Sequence, residues 1–270
     1  MNSGYAPVEN GELYYEVVGD GPAILLLHAG VADHTMWDPQ MEAFSQAHTV
    51  VRYDLRGFGI SRTQDTTFSN GQDIHDLLTH LGIDRATLIG NSRGGQIALD
   101  FTLAYPQMAS TLVWVNGGVG GMKFDAPPEL NTWFEKMEAL EEAKDWEALT
   151  DLEVQTWADG VNQPEGRASE PVRRKLHDMI LAGYKRADGN ATPRPFQPPA
   201  ATRLHEVQCP VLLVVGDLDT PATLASADLL TKGVPQAEKV VFHNVAHMAS
   251  MEQPDRFNTV VLDFLARHVL

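Results

Sequence analysis

LIGNSRGGQIALDF, Leu88 to Phe101, changes character in its middle. Its first residues close an apolar run, Ala86–Asn91, that reads as a strand. From Gly94 to Tyr105 the apolar positions Ile97, Ala98, Phe101 and Ala104 fall at helical spacing. Between the two lies G-x-S-x-G, as Gly90, Asn91, Ser92, Arg93 and Gly94. A serine delivered by a strand directly into a helix sits on a tight, strained turn, so small residues are needed on both sides of it. Such a turn lifts the hydroxyl above the sheet and puts it at a helix N-terminus, where free N–H groups favour negative charge. Five letters alone are a modest signal. The change from strand to helix around them gives them weight.

Outward from this point the chain keeps the same rhythm. Ala23–His28, Thr49–Leu55, Ser110–Asn116, Pro210–Gly216 and Glu238–Asn244 are short runs rich in Val, Ile and Leu, mostly without polar alternation. Strands buried on both faces of a parallel sheet look like this. Glu12–Gly19 alternates better and reads as an antiparallel edge strand. Asp73–Leu81 and Pro254–Val269 carry one-sided helical patterns, the second through Phe257, Val260, Val261, Phe264 and Leu265. Strand and helix in alternation predict a doubly wound α/β sheet.

The rhythm breaks over residues 122–204. That stretch offers no convincing strand, holds three of the five tryptophans (Trp133, Trp146, Trp157), and ends in the proline-rich TPRPFQPPA. About 80 residues is far too long for one crossover. The reading is a core of residues 1–121 and 205–270 with a helical insertion, 122–204, lying over the sheet.

A serine hydroxyl is a poor nucleophile without a base, and the base needs an orienting acid. Late strands supply both: Asp217 and Asp219 follow PVLLVVG, and His243 and His247 close or follow the VVFHN run. The residues leave each pair open. G-x-x-D at Gly216–Asp219, H-x-x-x-x-E-x-P at His247, Glu252 and Pro254, LLLHAG at Leu25–Gly30 and YDLRGFGIS at Tyr53–Ser61 together resemble the α/β-hydrolase superfamily over nearly the whole chain. The resemblance implies the α/β-hydrolase fold, a mostly parallel central sheet with helices on both faces and a helical cap. It further implies Ser92 as nucleophile, Asp219 as the acid and His247 as the base. The oxyanion donors it implies are the backbone N–H groups of Arg93 and Gly30, with Val31 the alternative to Gly30; this chain has His28-Ala29 where relatives carry His-Gly. Asp54 and Arg56 are expected to brace the neighbouring loop, and His28 to make a structural hydrogen bond near the site. His34, Trp37, Trp133 and Trp157 are the candidate substrate-binding residues.

The expected reaction is hydrolysis of a small ester or lactone. MWDPQM, Met36–Met41, resembles 3-oxoadipate enol-lactonases and small carboxylesterases, although Asn91 and Arg93 differ from the usual lactonase residues. Serine at position 92 argues against haloalkane dehalogenases and epoxide hydrolases, which use a carboxylate. Carbon–carbon bond hydrolases, cofactor-free perhydrolases and a slow-turnover ligand receptor share the constellation and stay open. No cofactor is needed, and no clustered metal-ligand pattern appears.

Composition narrows the partners. The formal net charge of −16 over 270 residues argues against nucleic acid and against an anionic membrane surface. No run of about 18 apolar residues is present, and the polar N-terminus lacks the apolar stretch of a secretory signal. A lone cysteine, Cys209, excludes an internal disulfide and suits the cytoplasm. A homodimer is left open.

Overall fold

The computed structural model describes residues 1–125, 127–186 and 191–268. Its central sheet contains β1 (Asn2–Val8), β2 (Gly11–Val18), β3 (Ala23–Leu27), β4 (Thr49–Tyr53), β5 (Ala86–Asn91), β6 (Ala109–Val115), β7 (Val211–Gly216) and β8 (Ala237–Phe242). They lie side by side in the order β1-β2-β4-β3-β5-β6-β7-β8. From β4 to β8 every pairing is parallel, while β1–β2 and β2–β4 are antiparallel. The sheet is therefore mostly parallel, as expected. One detail differs: β2 is not an edge strand. Asn2–Val8, too polar to stand out as a strand, pairs along its whole length and takes the edge.

Two apolar layers explain why the parallel strands do not alternate. Leu25 and Leu27 of β3, with Leu213 and Val215 of β7, face one side. They pack there with Ile74 and Leu77 of α2 (Asn70–His80) and with Ile97 and Phe101 of α3 (Arg93–Ala104). Ile24 and Leu26, with Leu212 and Val214, face the other side. They meet Phe44 of α1 (Asp38–Ser45) and Phe257, Val261 and Phe264 of a C-terminal helix, Pro254–His268. Both faces are covered, so both sets of side chains are apolar. Val269, placed in that last helix from sequence, lies outside the described residues.

Between β6 and β7 the chain forms α4 (Pro128–Glu142), α5 (Trp146–Val154), a single wide turn at Gln155–Asp159, and α6 (Glu170–Tyr184). These helices fall within the stretch, 122–204, read from sequence as an insertion. The same stretch also holds a strand that the sequence pattern does not announce. Ala191–Pro193 pairs in parallel with Thr66–Phe68 of the core, and the Arg194 N–H donates to the Phe68 carbonyl at 2.7 Å. Proline and polarity hide it; the pairing is short and lies off the main sheet. Helices α7 (Pro221–Gly233), α8 (Ala249–Glu252) and α9 (Pro254–His268) complete the described chain. No described helix is long and apolar enough to cross a membrane.

Candidate active site

Ser92 stands between the last residue of β5 and the first of α3 with φ +55° and ψ −116°. Its N–H donates to the Val115 carbonyl at 2.8 Å, which ties the turn to the neighbouring strand. The turn closes this tightly because of the glycines. A Cβ on Gly90 would lie 2.2 Å from the Gly94 carbonyl oxygen, and one on Gly94 would lie 2.3 Å from that of Leu27. No side chain fits at either position.

Across the sheet end, His247 Nδ1 lies 2.7 Å from Asp219 Oδ2, with both side chains almost fully buried. The other Asp219 oxygen accepts the Thr220 N–H at 2.6 Å. His243 and Asp217 also pair, at 2.9 Å, but the histidine side chain is 80% exposed. The second pair therefore belongs to the surface. The histidine loop is pinned by a residue that no sequence motif marks. Asn116, at φ +45° just past β6, donates to the carbonyls of Ala246 and His247 at 3.0 and 2.9 Å and accepts the Gly216 N–H at 2.9 Å. One amide thus fixes two strand ends and the histidine loop.

A cavity of about 740 Å³ opens here, and Ser92, Arg93, Gly30, His247 and Trp157 all line it. A turn closed by the Ala32 N–H on the Ala29 carbonyl at 3.2 Å puts Gly30 and Val31 at its central positions, and both reach the cavity. His28 holds this turn in place. Its Nε2 accepts the Leu55 N–H at 2.9 Å, so the proton sits on Nδ1, which donates to the Ala29 carbonyl at 2.7 Å. Burial lowers the pKa of His28, in keeping with a neutral ring.

Trp157 packs its indole 4.7 Å from the His247 ring, and its carbonyl accepts the His247 N–H at 3.2 Å. The other three candidate substrate contacts do not line this cavity. His34 turns away from the cavity: its Nδ1 donates to Asp54 at 2.8 Å, and Tyr14 packs 5.1 Å from its ring. Burial opposes charge on this imidazole, but the Asp54 carboxylate outweighs it and raises the pKa. Trp37 is fully buried beside Phe257, beneath the sheet. Trp133 donates its indole N–H to Thr156 Oγ1 at 2.5 Å, and its neighbour Phe134 lines the cavity instead.

Asp54 and Arg56 do brace the loop. Asp54 accepts the N–H groups of His34 and Ile60, each at 2.8 Å. Arg56 grips Asp73 through two bonds of 2.9 and 2.7 Å. Asp33, His34 and Asp54 lie close enough to suit a cation, but Asp33 already caps Thr35 and both Asp54 oxygens accept backbone N–H groups. These donors occupy the cluster and do not fit a metal.

A model of a protein family described as the alpha/beta hydrolase family matches residues 24–260. A 2-hydroxy-6-oxononadienedioate/2-hydroxy-6-oxononatrienedioate hydrolase from Burkholderia vietnamiensis is 30% identical over 277 aligned positions, covering 96% of this chain and 94% of its own. A 3-oxoadipate enol-lactonase from Acinetobacter baylyi is 24% identical over 91% of this chain and 89% of its own. Among solved structures, a hydrolase from Pseudomonas aeruginosa superposes with a TM-score of 0.78 at 25% identity, covering 98% of both chains.

Proposed function

The chain belongs to the alpha/beta hydrolase family, and from that premise we propose that it is a serine hydrolase cleaving a carboxylic ester or lactone through an acyl-enzyme. The observation that carries the reading is the placement of Ser92, on its strained turn, in one cavity with a histidine hydrogen-bonded at 2.7 Å to a buried carboxylate. With the Nδ1 proton committed to Asp219, the other ring nitrogen of His247 is left as a base. It takes the Ser92 proton as the hydroxyl attacks the carbonyl. The oxyanion that forms is met by the Arg93 N–H, one of the free donors at the start of α3, and by the Gly30 N–H. His247 then returns the proton to the leaving alcohol, and water releases the acyl group by the same steps in reverse roles.

A second reading has its own support. The Burkholderia relative is named for a carbon–carbon bond substrate, and the same serine, base and oxyanion donors suit attack on a ketone. The leaving carbon must then accept the proton that an alkoxide would otherwise take. A panel of p-nitrophenyl acetate and butyrate, an enol-lactone and a vinylogous 1,5-diketone separates the readings. Steady turnover of the esters or lactone, reduced at least about 10³-fold in Ser92→Ala, is the expected result. Turnover of the diketone alone selects the second reading. Ester turnover untouched by Ser92→Ala overturns both.

A further inference from the structure

One face of α3 forms the long wall of the cavity. Ser92, Gln96 and Asp100 follow each other at intervals of four residues, with Arg93 and Ile97 between them, and all five line the space. At 1.5 Å per residue, position 100 lies about 12 Å along the axis from the nucleophile. The space does not stop there. A second cavity of about 380 Å³ shares Asn70, Asp100, Arg194 and Phe196 with the first and runs on to Ala104 and Tyr105.

Asp100 differs from the other deeply placed carboxylates. Asp73 is held by Arg56, Asp159 by Arg173, Glu252 by Arg167, and Asp219 by His247 and a backbone N–H. Asp100 Oδ1 is buried with no hydrogen-bond partner among the described residues. Burial alone, with nothing to offset it, pushes the carboxyl up to about 7. Native proteins rarely leave such an atom unmatched, and each one calls for an explanation such as a functional role or a bound water or ion. Gly118, which also lines the cavity, and Gly120 present no side chain beside these residues. A Cβ at the first would stand 3.1 Å from Gln96 Oε1, and one at the second 3.8 Å from Asp100 Oδ1.

Taking the hydrolase reading above as its basis, we propose that Asp100 is a specificity-determining residue that binds a hydroxyl group on the substrate about 12 Å from the bond being cleaved. The substrate class is an ester or lactone with a hydroxylated chain. A hydroxyl fits better than an ammonium group because Arg194 lines the same space and repels a second cation. It fits better than a substrate carboxylate because a hydroxyl can hydrogen-bond to Asp100 whether that carboxyl is protonated or ionised, whereas the ionised form repels a carboxylate. A hydroxyl donates to the Asp100 carboxylate and also accepts from the amides of Gln96 or Asn70.

An eight-carbon chain spans about 10 Å, so the probes are matched pairs. They are p-nitrophenyl octanoate against 8-hydroxyoctanoate, and octyl butyrate against 8-hydroxyoctyl butyrate, which place the hydroxyl on the acyl and the alcohol side. The parent protein should favour the hydroxylated member of one pair by about 10-fold or more in kcat/KM. Asp100→Leu should bring that ratio close to one through KM, and Asp100→Asn should retain part of it. Equal treatment of both members of each pair, or a preference that survives Asp100→Leu, overturns the proposal. Equilibrium binding of 1,8-octanediol against 1-octanol repeats the comparison without hydrolysis. A diol preference lost in Asp100→Leu therefore upholds the subsite even if no ester is turned over. Thermal denaturation guards against a structural role: both variants should melt at or above the parent, and a loss of several degrees in both would mean that Asp100 is paired in the fold and would overturn the assignment.

Discussion

Gly94 has little freedom at the candidate site, and the reason is backbone, not chemistry. The helix that starts at Arg93 passes so near β3 that a methyl group on Gly94 would meet the Leu27 carbonyl oxygen at 2.3 Å and that of His28 at 2.7 Å. Those oxygens belong to a fully buried strand end and have nowhere to go. Gly94→Ala should therefore cost about 3 kcal/mol or more and reduce ester turnover at least about 10-fold, because relief of the clash moves Ser92. Gly183→Ala, with open space around its position, is the matched control; a Gly94→Ala protein as stable and active as that control would refute the argument. Ser92 was legible in the sequence for the same kind of reason, whereas Asp219 and His247 were set apart from Asp217 and His243 only by the family resemblance. Tight turns and strand ends leave a local signature of glycines and spacing. Tryptophans leave none: a Trp after a strand can point into the site or under the sheet, and Trp37 lies under the sheet while Trp157 reaches the histidine. Asp100 was illegible too, since a polar residue in an apolar helix reads as an exposed position until the cap is in place above it.

The loop that carries His247 is tied to the insertion by an arginine as well as by the Trp157 carbonyl. Arg167, between the wide turn and α6, donates to the carbonyls of Ala158, Asp159 and Asn244, each at 2.5 to 2.7 Å, and to Glu252 Oε2 at 2.5 Å. The second Glu252 oxygen accepts the Ala246 N–H at 2.9 Å, one residue before His247. Glu252 is the acidic residue of the H-x-x-x-x-E-x-P pattern, and these bonds explain its place there, because they couple the histidine loop to the cap. Burial raises its carboxyl pKa even though Arg167 opposes this. Removing the arginine leaves that acid and several carbonyls unmatched, so Arg167→Met should destabilise by about 3 kcal/mol. It should also lower kcat for ester turnover more than it raises KM, because the base loses its fixed position while the cavity keeps its lining. Glu252→Gln, which keeps an acceptor for Ala246, should recover part of the stability when added to Arg167→Met. Additive losses in that double variant would mean the two side chains act separately. At this scale the sequence showed that an insertion exists but not how it is attached. The Arg167–Glu252 contact joins residues 85 apart, and nothing local marks Arg167 as different from the other cap arginines.

At the scale of the whole molecule, charge and burial act in the same direction. The chain carries a formal charge of −16, which disfavours a compact state as pH rises and the last carboxyls ionise. Two of those carboxyls lie in the cavity wall. Burial lifts Asp100 from 3.8 to about 7. Burial also lifts Glu153 from 4.5 to about 7, with Glu141 adding to the shift and the Tyr184 hydroxyl opposing it. Between about pH 4 and 7 the folded chain thus holds protons that the unfolded chain has released, so stability falls as pH climbs through that window. At about 1.4 kcal/mol per unit the two groups together are worth at most about 8 kcal/mol, and solvent in the cavity reduces that to a few. The raised pKa of His34 acts in the same sense, since its pairing with Asp54 stabilises the fold below its unfolded value and fades above its folded one. Asp38 and Asp54 set the acid limit: ion pairs and hydrogen bonds outweigh their burial and hold them low, so their contribution is lost only as pH falls below about 4. The melting temperature should therefore be highest between about pH 4 and 5 and drop by about 5 °C or more by pH 8.5. Asp100→Asn should flatten the drop, and 0.5 M salt should restore more stability at pH 8.5 than at pH 5. Melting curves taken across that range decide it: a maximum at or above pH 7.5 would mean that the cavity carboxyls ionise in the folded chain as easily as they do in water.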